Sequence, residues 1–505
     1  MSTRIRRSLS QFLTVPTLLF LIACIGGTTT KAQVNKVTIR VVAGAESHLV
    51  IEADCTATSV WSFRDSYAGI VGLGTRVRSL EAFAANGAEV TARQIAPGQF
   101  ESSAAAVRFV YELNTVPPLN PLDASRISWV NEQRGLLMLR DILPMATAGS
   151  QTSGSRQALR VTLNLPQGWL AYSNDQINAT EFNVSDYDVT VIAIGPNLRS
   201  SARRMNGTTL TLVTDGQWSF TDHEAMDLAA RVYSAHQATF ESGSSTSVML
   251  NVFPFPRPAP PTLWTAETRD ATVTVLNGNL PSKVGALAQL STPLTHELFH
   301  LWVPNALALD GNYDWFYEGF TVYEAARTAV RLDLLTFPEF LNAIARAFDG
   351  YLANAERERW SLVEASKRRW SAGPSAVYSE SMVVAFLYDL RLRMQSRGKQ
   401  SIERIYPTLL QKYGVHTNDE SARAADGNDA AIDVLALDEG TRAFVRAFVT
   451  QPAKIDLRRE LAPFGLKVET FGLRTRVSVS EELTKQQRDL LRQLGYNNVT
   501  RKRKN

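Results

Sequence analysis

The run His296-Glu297-Leu298-Phe299-His300 constrains this chain more than any other feature of its sequence. The spacing H-E-x-x-H puts two imidazoles at i and i+4, on one face of a helix, where both can meet one ion. Glu297 stands one residue further round. It reaches a water activated by that ion without ligating the ion itself, as a general base must. The flanking residues predict the helix: Ser291 or Thr292 caps it, Pro293 suits its first turn, and Pro304 ends it. Leu294, Leu298 and Leu301 pack behind the motif, and Phe299 and Trp302 add apolar surface. Polar ligands in so apolar a helix would be costly to bury in a purely structural role.

A second run, Asn312-Tyr313-Asp314-Trp315-Phe316-Tyr317-Glu318-Gly319-Phe320-Thr321, follows 11 residues after His300. Glu318 lies early in the next predicted helix, with Asp314 as its cap. An antiparallel helix pair brings that carboxylate to the same ion. His296, His300 and Glu318 then form a His₂Glu set with one position open, the arrangement of catalytic rather than structural zinc, one ion per chain.

The chain has 505 residues, 45% of them hydrophobic and 20% charged, enough for two or three domains with cores of their own. Arg4, Arg6 and Arg7 precede an apolar run from Phe12 to Ile25, the pattern of a secretory signal over residues 1–32. Two exits are open. Thr30-Lys31-Ala32 suits plain cleavage before Gln33, and Leu21-Ile22-Ala23-Cys24 suits a lipobox that leaves Cys24 lipidated. The protein is therefore expected to be exported, to the periplasm, cell envelope or outside. No later segment is apolar for long enough to span a membrane. The net charge of +4 is carried by the four basic residues of the leader, so it gives no argument for nucleic acid. The basic tail Arg501-Lys502-Arg503-Lys504 is a solvated terminus. With Cys24 removed or lipidated, Cys55 has no partner for a disulfide and is expected to be a buried small hydrophobe.

The predicted class is α+β with several domains. Val37–Val41, Leu159–Leu165 and Thr209–Leu212 alternate apolar with polar residues, so 33–215 reads as an antiparallel β domain of sandwich type. Helix 224–239 and strands 247–253 and 271–276 follow, with a stiff Pro-rich connector at 254–261. After Pro293 the chain is mostly helical to about Val449, within a domain expected at 216–455. Residues 456–505 form a short C-terminal segment, with a helix at 481–494. Asp426-Gly427-Asn428-Asp429 reads as an ordinary turn, since the other ligands of a calcium loop are missing.

The two motifs, H-E-x-x-H-L-W followed by W-F-x-E-G-F-T, resemble the gluzincin metallopeptidases and are most similar to the glycyl aminopeptidase family. The motifs lie between about Trp264 and Arg393. The resemblance implies a thermolysin-like, mostly helical catalytic domain. It also places two further residues. The family's Tyr-x-Lys-Gly falls on Tyr378-Ser379-Glu380-Ser381, which makes Tyr378 a donor to the oxyanion, with Glu380 and Ser381 replacing Lys and Gly. Its Gly-Gly-x-Glu falls on Trp264 to Asp270, with Glu267 kept and both glycines lost; Glu267 would bind the substrate's α-amine. The family's PDZ-like module has no counterpart in the remaining 36 residues. The expected activity is aminopeptidase hydrolysis of peptides, with Glu297 and Tyr378 as catalytic residues. Two readings stand beside it: a zinc endopeptidase or other amide hydrolase, and a weakly catalytic envelope binding protein. A charge reversed at Glu380 and a bulky Trp264 in the cleft favour the last.

Overall fold

The computed structural model describes residues 34–146, 159–371, 373–415 and 424–497. The leader with Cys24 and the basic tail lie outside the described residues.

Strands Val34–Val42 and His48–Ser62 open a nine-stranded sheet, in which they pair antiparallel through Val37↔Ala53 and Ile39↔Ile51. Alternation is clean: Val37, Ile39 and Val41 are buried while Thr38 and Arg40 turn away. The sheet departs from the expected antiparallel pattern at one place. Val34–Val42 pairs parallel with Leu159–Asn164 on its other side, because the chain reaches that strand through a long crossover rather than a hairpin.

A four-stranded sheet (Trp129–Val130, Gly135–Met138, Leu170–Tyr172, Val191–Gly195) forms a middle layer. Its two faces enter different cores. Leu137, Ile192 and Ile194 pack with Val37, Ile39 and Leu49. Leu136, Met138, Val191 and Ala193 pack with Val213, Met249, Phe253 and Leu276 of a third sheet. A strand buried on both faces reads as one apolar run, and all of Val191–Gly195 is buried.

The third sheet is five-stranded, in the order Arg199–Met205, Thr208–Thr214, Ser247–Phe253, Thr272–Asn277, Trp264–Arg269. Two of its strands thus precede residue 216, upstream of the boundary expected there. Its far face, with Leu212, Leu250 and Val275, packs on helices Asp222–Phe240 and Lys283–Glu297. The chain is helical for most of its remaining length. Among the described residues no helix is long and apolar enough to cross a membrane. Near the C-terminus, strands Leu466–Phe471 and Arg474–Val479 form a hairpin, and helix Lys485–Gln493 follows, within the expected 481–494. Thr475 N–H donates to Asp349 at 2.8 Å and docks the hairpin on helix Phe337–Ala353. The turn at Asp426 is a helix cap, its carboxylate accepting from Asn428 N–H at 2.8 Å. Cys55 is buried, and burial pushes its thiol up to about 11, as a packed small hydrophobe requires.

The site depends on one close approach. Trp315–Phe320 and Ala376–Glu380 are both π turns, leading directly into helices Thr321–Arg331 and Ser381–Gln395. They touch at Gly319, where an added Cβ would stand 2.1 Å from Ser381 Cβ and 2.5 Å from the Val377 carbonyl. Gly319→Ala is therefore expected to destabilise the protein by about 1–3 kcal/mol through overpacking, read as a fall in Tm. An unchanged Tm would show that the two turns can separate freely.

Candidate metal centre and cleft

The helix carrying the motif starts ten residues earlier than the sequence suggests. It runs Lys283–Glu297 with Ser282 as its cap, so Pro293 lies inside it and neither Ser291 nor Thr292 begins it. The missing proline N–H is tolerated because the core holds the helix: Leu290, Leu294 and Leu298 are fully buried. The α-helix gives way at Phe299–Leu301 to a 3₁₀ turn that still carries His300. Behind it, the buried His236 sets its Nε2 3.0 Å from the Thr295 carbonyl. Burial lowers His236 to about 3, so the ring is neutral and donates Nε2–H to that carbonyl.

His296, His300 and Glu318 offer ligand atoms that all lie within 4.8 Å of one another. His296 Nε2 is 3.1 Å from His300 Nε2 and 3.2 Å from Glu318 Oε2, and His300 Nε2 is 3.6 Å from the same oxygen. The edge of a tetrahedron with zinc-type bonds of about 2.0–2.1 Å is roughly 3.4 Å, so the three donors stand at the spacing one such ion needs. His300 Nδ1–H donates to the Val303 carbonyl at 2.8 Å, which leaves Nε2 as the ligand atom. Burial opposes the charge on Glu318, but the two histidines and Arg369 outweigh it and hold its carboxyl well below the usual range.

Glu297 is buried beside this cluster. The hydroxyl of Thr268, on the edge strand Trp264–Arg269, lies 2.7 Å from Glu297 Oε2 and fixes the carboxylate. Burial raises the Glu297 carboxyl above its ordinary value, toward the range a general base requires.

Arg369 is the residue that sequence reasoning missed. Its Nη2 donates to Glu318 Oε1 at 2.8 Å and to the Tyr378 hydroxyl. Its Nη1 donates to Asp314 Oδ1 at 2.7 Å and to the Tyr317 hydroxyl at 3.0 Å. One guanidinium therefore occupies Glu318 Oε1, leaves Oε2 for an ion, and accounts for the lone pair of Tyr378 so that its O–H is free to donate into the cleft. Asp314, expected as a cap, makes no capping hydrogen bond and serves as an anchor for Arg369 instead. In the sequence Arg369 is only the middle of Arg368-Arg369-Trp370; nothing local marks it.

These groups line a cleft of about 1510 Å³. One wall is the edge strand with Trp264, Glu267 and Thr268, joined by the hairpin strands Ser66–Tyr67 and Ile70–Val71. The other is apolar, with Ala325, Ala329, Leu334 and Ala347. His296, His300, Glu318, Glu297, Tyr378 and Glu267 all face this one space. Glu380 does not. It is 3% exposed and absent from the cleft lining, so the expected reversal of charge beside the site does not occur. Burial, with Glu358 nearby, raises the Glu380 carboxyl to about 8.

The sequence pattern of the M61 glycyl aminopeptidase family matches residues 289–385, the stretch that carries the motif helix, Glu318, Arg369 and Tyr378. This part of the chain is thus glycyl aminopeptidase-like, as the two motifs imply. No curated protein matches the chain. Among solved structures it resembles an aminopeptidase N family protein from Idiomarina loihiensis, with a TM-score of 0.71 at 15% identity over 86% of this chain and 79% of that one. It also resembles an M1 zinc metallopeptidase from Deinococcus radiodurans, with a TM-score of 0.52 at 14% identity over 85% of this chain and 96% of that one. A mutant of the Deinococcus protein bound to a Tyr-Ser-Ala substrate has the same TM-score and coverage. At these identities the likeness is one of fold: a sheet-rich N-terminal region followed by a helical region. Together with the family match it supports a peptidase.

Two outcomes follow from the geometry. Arg369→Gln is expected to weaken metal retention or turnover about 10–100-fold, the usual cost of losing a partner of a metal ligand, with Lys rescuing only part of it. Competition with a chelator measures this, and an unchanged metal affinity together with unchanged turnover would remove Arg369 from the site. For Glu380 the folded value lies above the unfolded one, so the folded state holds the extra proton between about 4.5 and 8. Stability from this group is full at the acid end and falls as pH rises to about 8. Glu380→Gln should therefore raise Tm at pH 8.5 more than at pH 5; an equal shift at both would contradict the assignment.

Proposed function

We propose that this protein is an exported zinc aminopeptidase. The observation that carries the reading is the His296–His300–Glu318 cluster, set beside a buried, fixed Glu297 in a cleft long enough for a peptide. The donor set of two nitrogens and one oxygen suits zinc, held by those three residues with one position open. When bound, zinc would polarise the scissile carbonyl and acidify a water at that position. Glu297 takes the proton of the attacking water and passes it to the leaving amine. Tyr378, held by Arg369 with its proton free, donates to the developing oxyanion. Glu267, on the strand that forms one wall, meets the amine end of the substrate. Peptides are the substrate class, in keeping with the tripeptide bound to the Deinococcus mutant.

The wider organisation belongs to the same proposal. Residues 1–32 are a secretory signal, with Cys24 as an alternative lipid anchor; 33–215 are the β-rich domain, 216–455 a thermolysin-like catalytic domain, and 456–505 a short C-terminal segment. A second reading, an endopeptidase, is favoured by the size of the cleft, about 1510 Å³, whose lining also takes in Ala325, Ala329 and Ala347.

Glu297→Gln is expected to abolish release from peptide amides while zinc stays bound at one per chain, and Glu318→Ala to lose the zinc. Release assayed with and without chelator, beside metal analysis, decides this. Substantial turnover in the first variant, or full zinc content in the second, would overturn the assigned roles.

A further inference from the structure

At the edge-strand end of the cleft Glu267, proposed above to meet the substrate's amine, faces Arg126, which the proposed chemistry leaves without a role. Arg126 Nε lies 3.5 Å from Glu267 Oε2, a separation too long for a good hydrogen bond, and that buried Nε has no hydrogen-bond partner. Both residues line the cleft. The Glu267 carboxylate and the Arg126 backbone are held by neighbours other than this pair. Arg126 follows a short 3₁₀ turn that is fastened to the edge strand: Ser125 Oγ is 2.9 Å from Thr265 Oγ1, and Arg269 Nη2 donates to the Arg126 carbonyl at 2.7 Å. Glu267 Oε1 accepts from the Tyr67 hydroxyl at 2.5 Å. The Tyr67 ring is itself clamped between two guanidiniums, with Arg64 4.6 Å and Arg269 4.4 Å from its centre.

A substrate ammonium that docks on Glu267 Oε2 must therefore come close to the Arg126 guanidinium. A glycine or alanine N-terminus brings only a positive charge to that place and is repelled by Arg126. An N-terminal residue with a side-chain carboxylate brings both charges: its ammonium replaces Arg126 at Glu267, and its carboxylate replaces Glu267 at Arg126. The pair is exchanged rather than broken, so no charge is left buried without a partner. Arg369, which also lines the cleft, cannot serve this purpose, because it is committed to Glu318, Asp314, Tyr317 and Tyr378.

We propose that Arg126 and Glu267 together select peptides whose N-terminal residue is aspartate or glutamate. This rests on the aminopeptidase reading above. The test compares release from glutamyl, aspartyl, alanyl and glycyl amides, each free and N-acetylated, by the zinc-loaded wild type and by Arg126→Gln and Arg126→Lys. The wild type is expected to favour the acidic amides in kcat/KM. Arg126→Gln should lower kcat/KM for them on the order of tenfold, as suits a charge pair that is only partly buried, and should raise it for alanyl amide. Arg126→Lys should restore part of the acidic preference, and zinc content should be the same in all three proteins. In zinc-loaded Glu297→Gln, calorimetry should show Glu-Ala-Ala binding more tightly than Ala-Ala-Ala. Alanyl or glycyl amides cleaved at least as well as acidic ones, an equal fall for every substrate in Arg126→Gln, or equal binding of the two tripeptides would overturn the proposal alone. Release from acetylated amides only would overturn the aminopeptidase reading, and this proposal with it.

Discussion

The Arg369 guanidinium lies among the acceptors of Glu318, Asp314, Tyr317 and Tyr378, and the metal centre depends on it. A carboxylate buried beside two imidazoles is stable only if its second oxygen is satisfied. Arg369 satisfies it, and the geometry of its planar fork then decides which Glu318 oxygen faces the ion. The same nitrogen meets the Tyr378 hydroxyl, so the proposed ligand and the proposed oxyanion donor are set by one group. None of this would hold if the two π turns stood apart. The bare Gly319 allows their approach, with Ser381 filling the space against it.

The layers on either side give that contact its rigidity. The middle sheet is buried on both faces and couples the large N-terminal sheet to the five-stranded one, whose edge strand supplies Thr268 and Glu267. The opposite face of that sheet supports the motif helix. Glu297 is thus held from the sheet side by Thr268, while Glu318 is held from the helical side by Arg369. The proposed base and the proposed ligand are preorganised by different parts of the chain, and both line one cleft.

Those features with a local signature were legible in the sequence. His296, Glu297 and His300 share one helical repeat, and Glu318 sits in a run rich in aromatic residues, so the cluster could be read before any fold was known. Alternation found Val34–Val42 and Leu159–Asn164, since each has one face in a core. Their parallel pairing was hidden, because a strand's own sequence carries little information on its partner. Pro293 suggested a helix start, yet tertiary packing carries the helix through it. Arg369, Tyr67 and Arg126 act across tens to hundreds of residues and leave no periodic trace. Glu380 was read as a charge beside the site because it stands where the family's motif carries Lys; on a helical turn, residues two apart face different ways, and Glu380 is buried outside the cleft that Tyr378 lines.

The central claim is that one ion is held by His296 Nε2, His300 Nε2 and Glu318 Oε2 while Arg369 keeps Oε1. A crystal structure of the zinc-loaded protein, with anomalous scattering recorded across the zinc edge, tests it most directly. The account requires a single peak about 2.0–2.1 Å from those three atoms, with the Arg369–Glu318 hydrogen bond intact. A peak elsewhere, or a Glu318 that binds through both oxygens with Arg369 displaced, would contradict it.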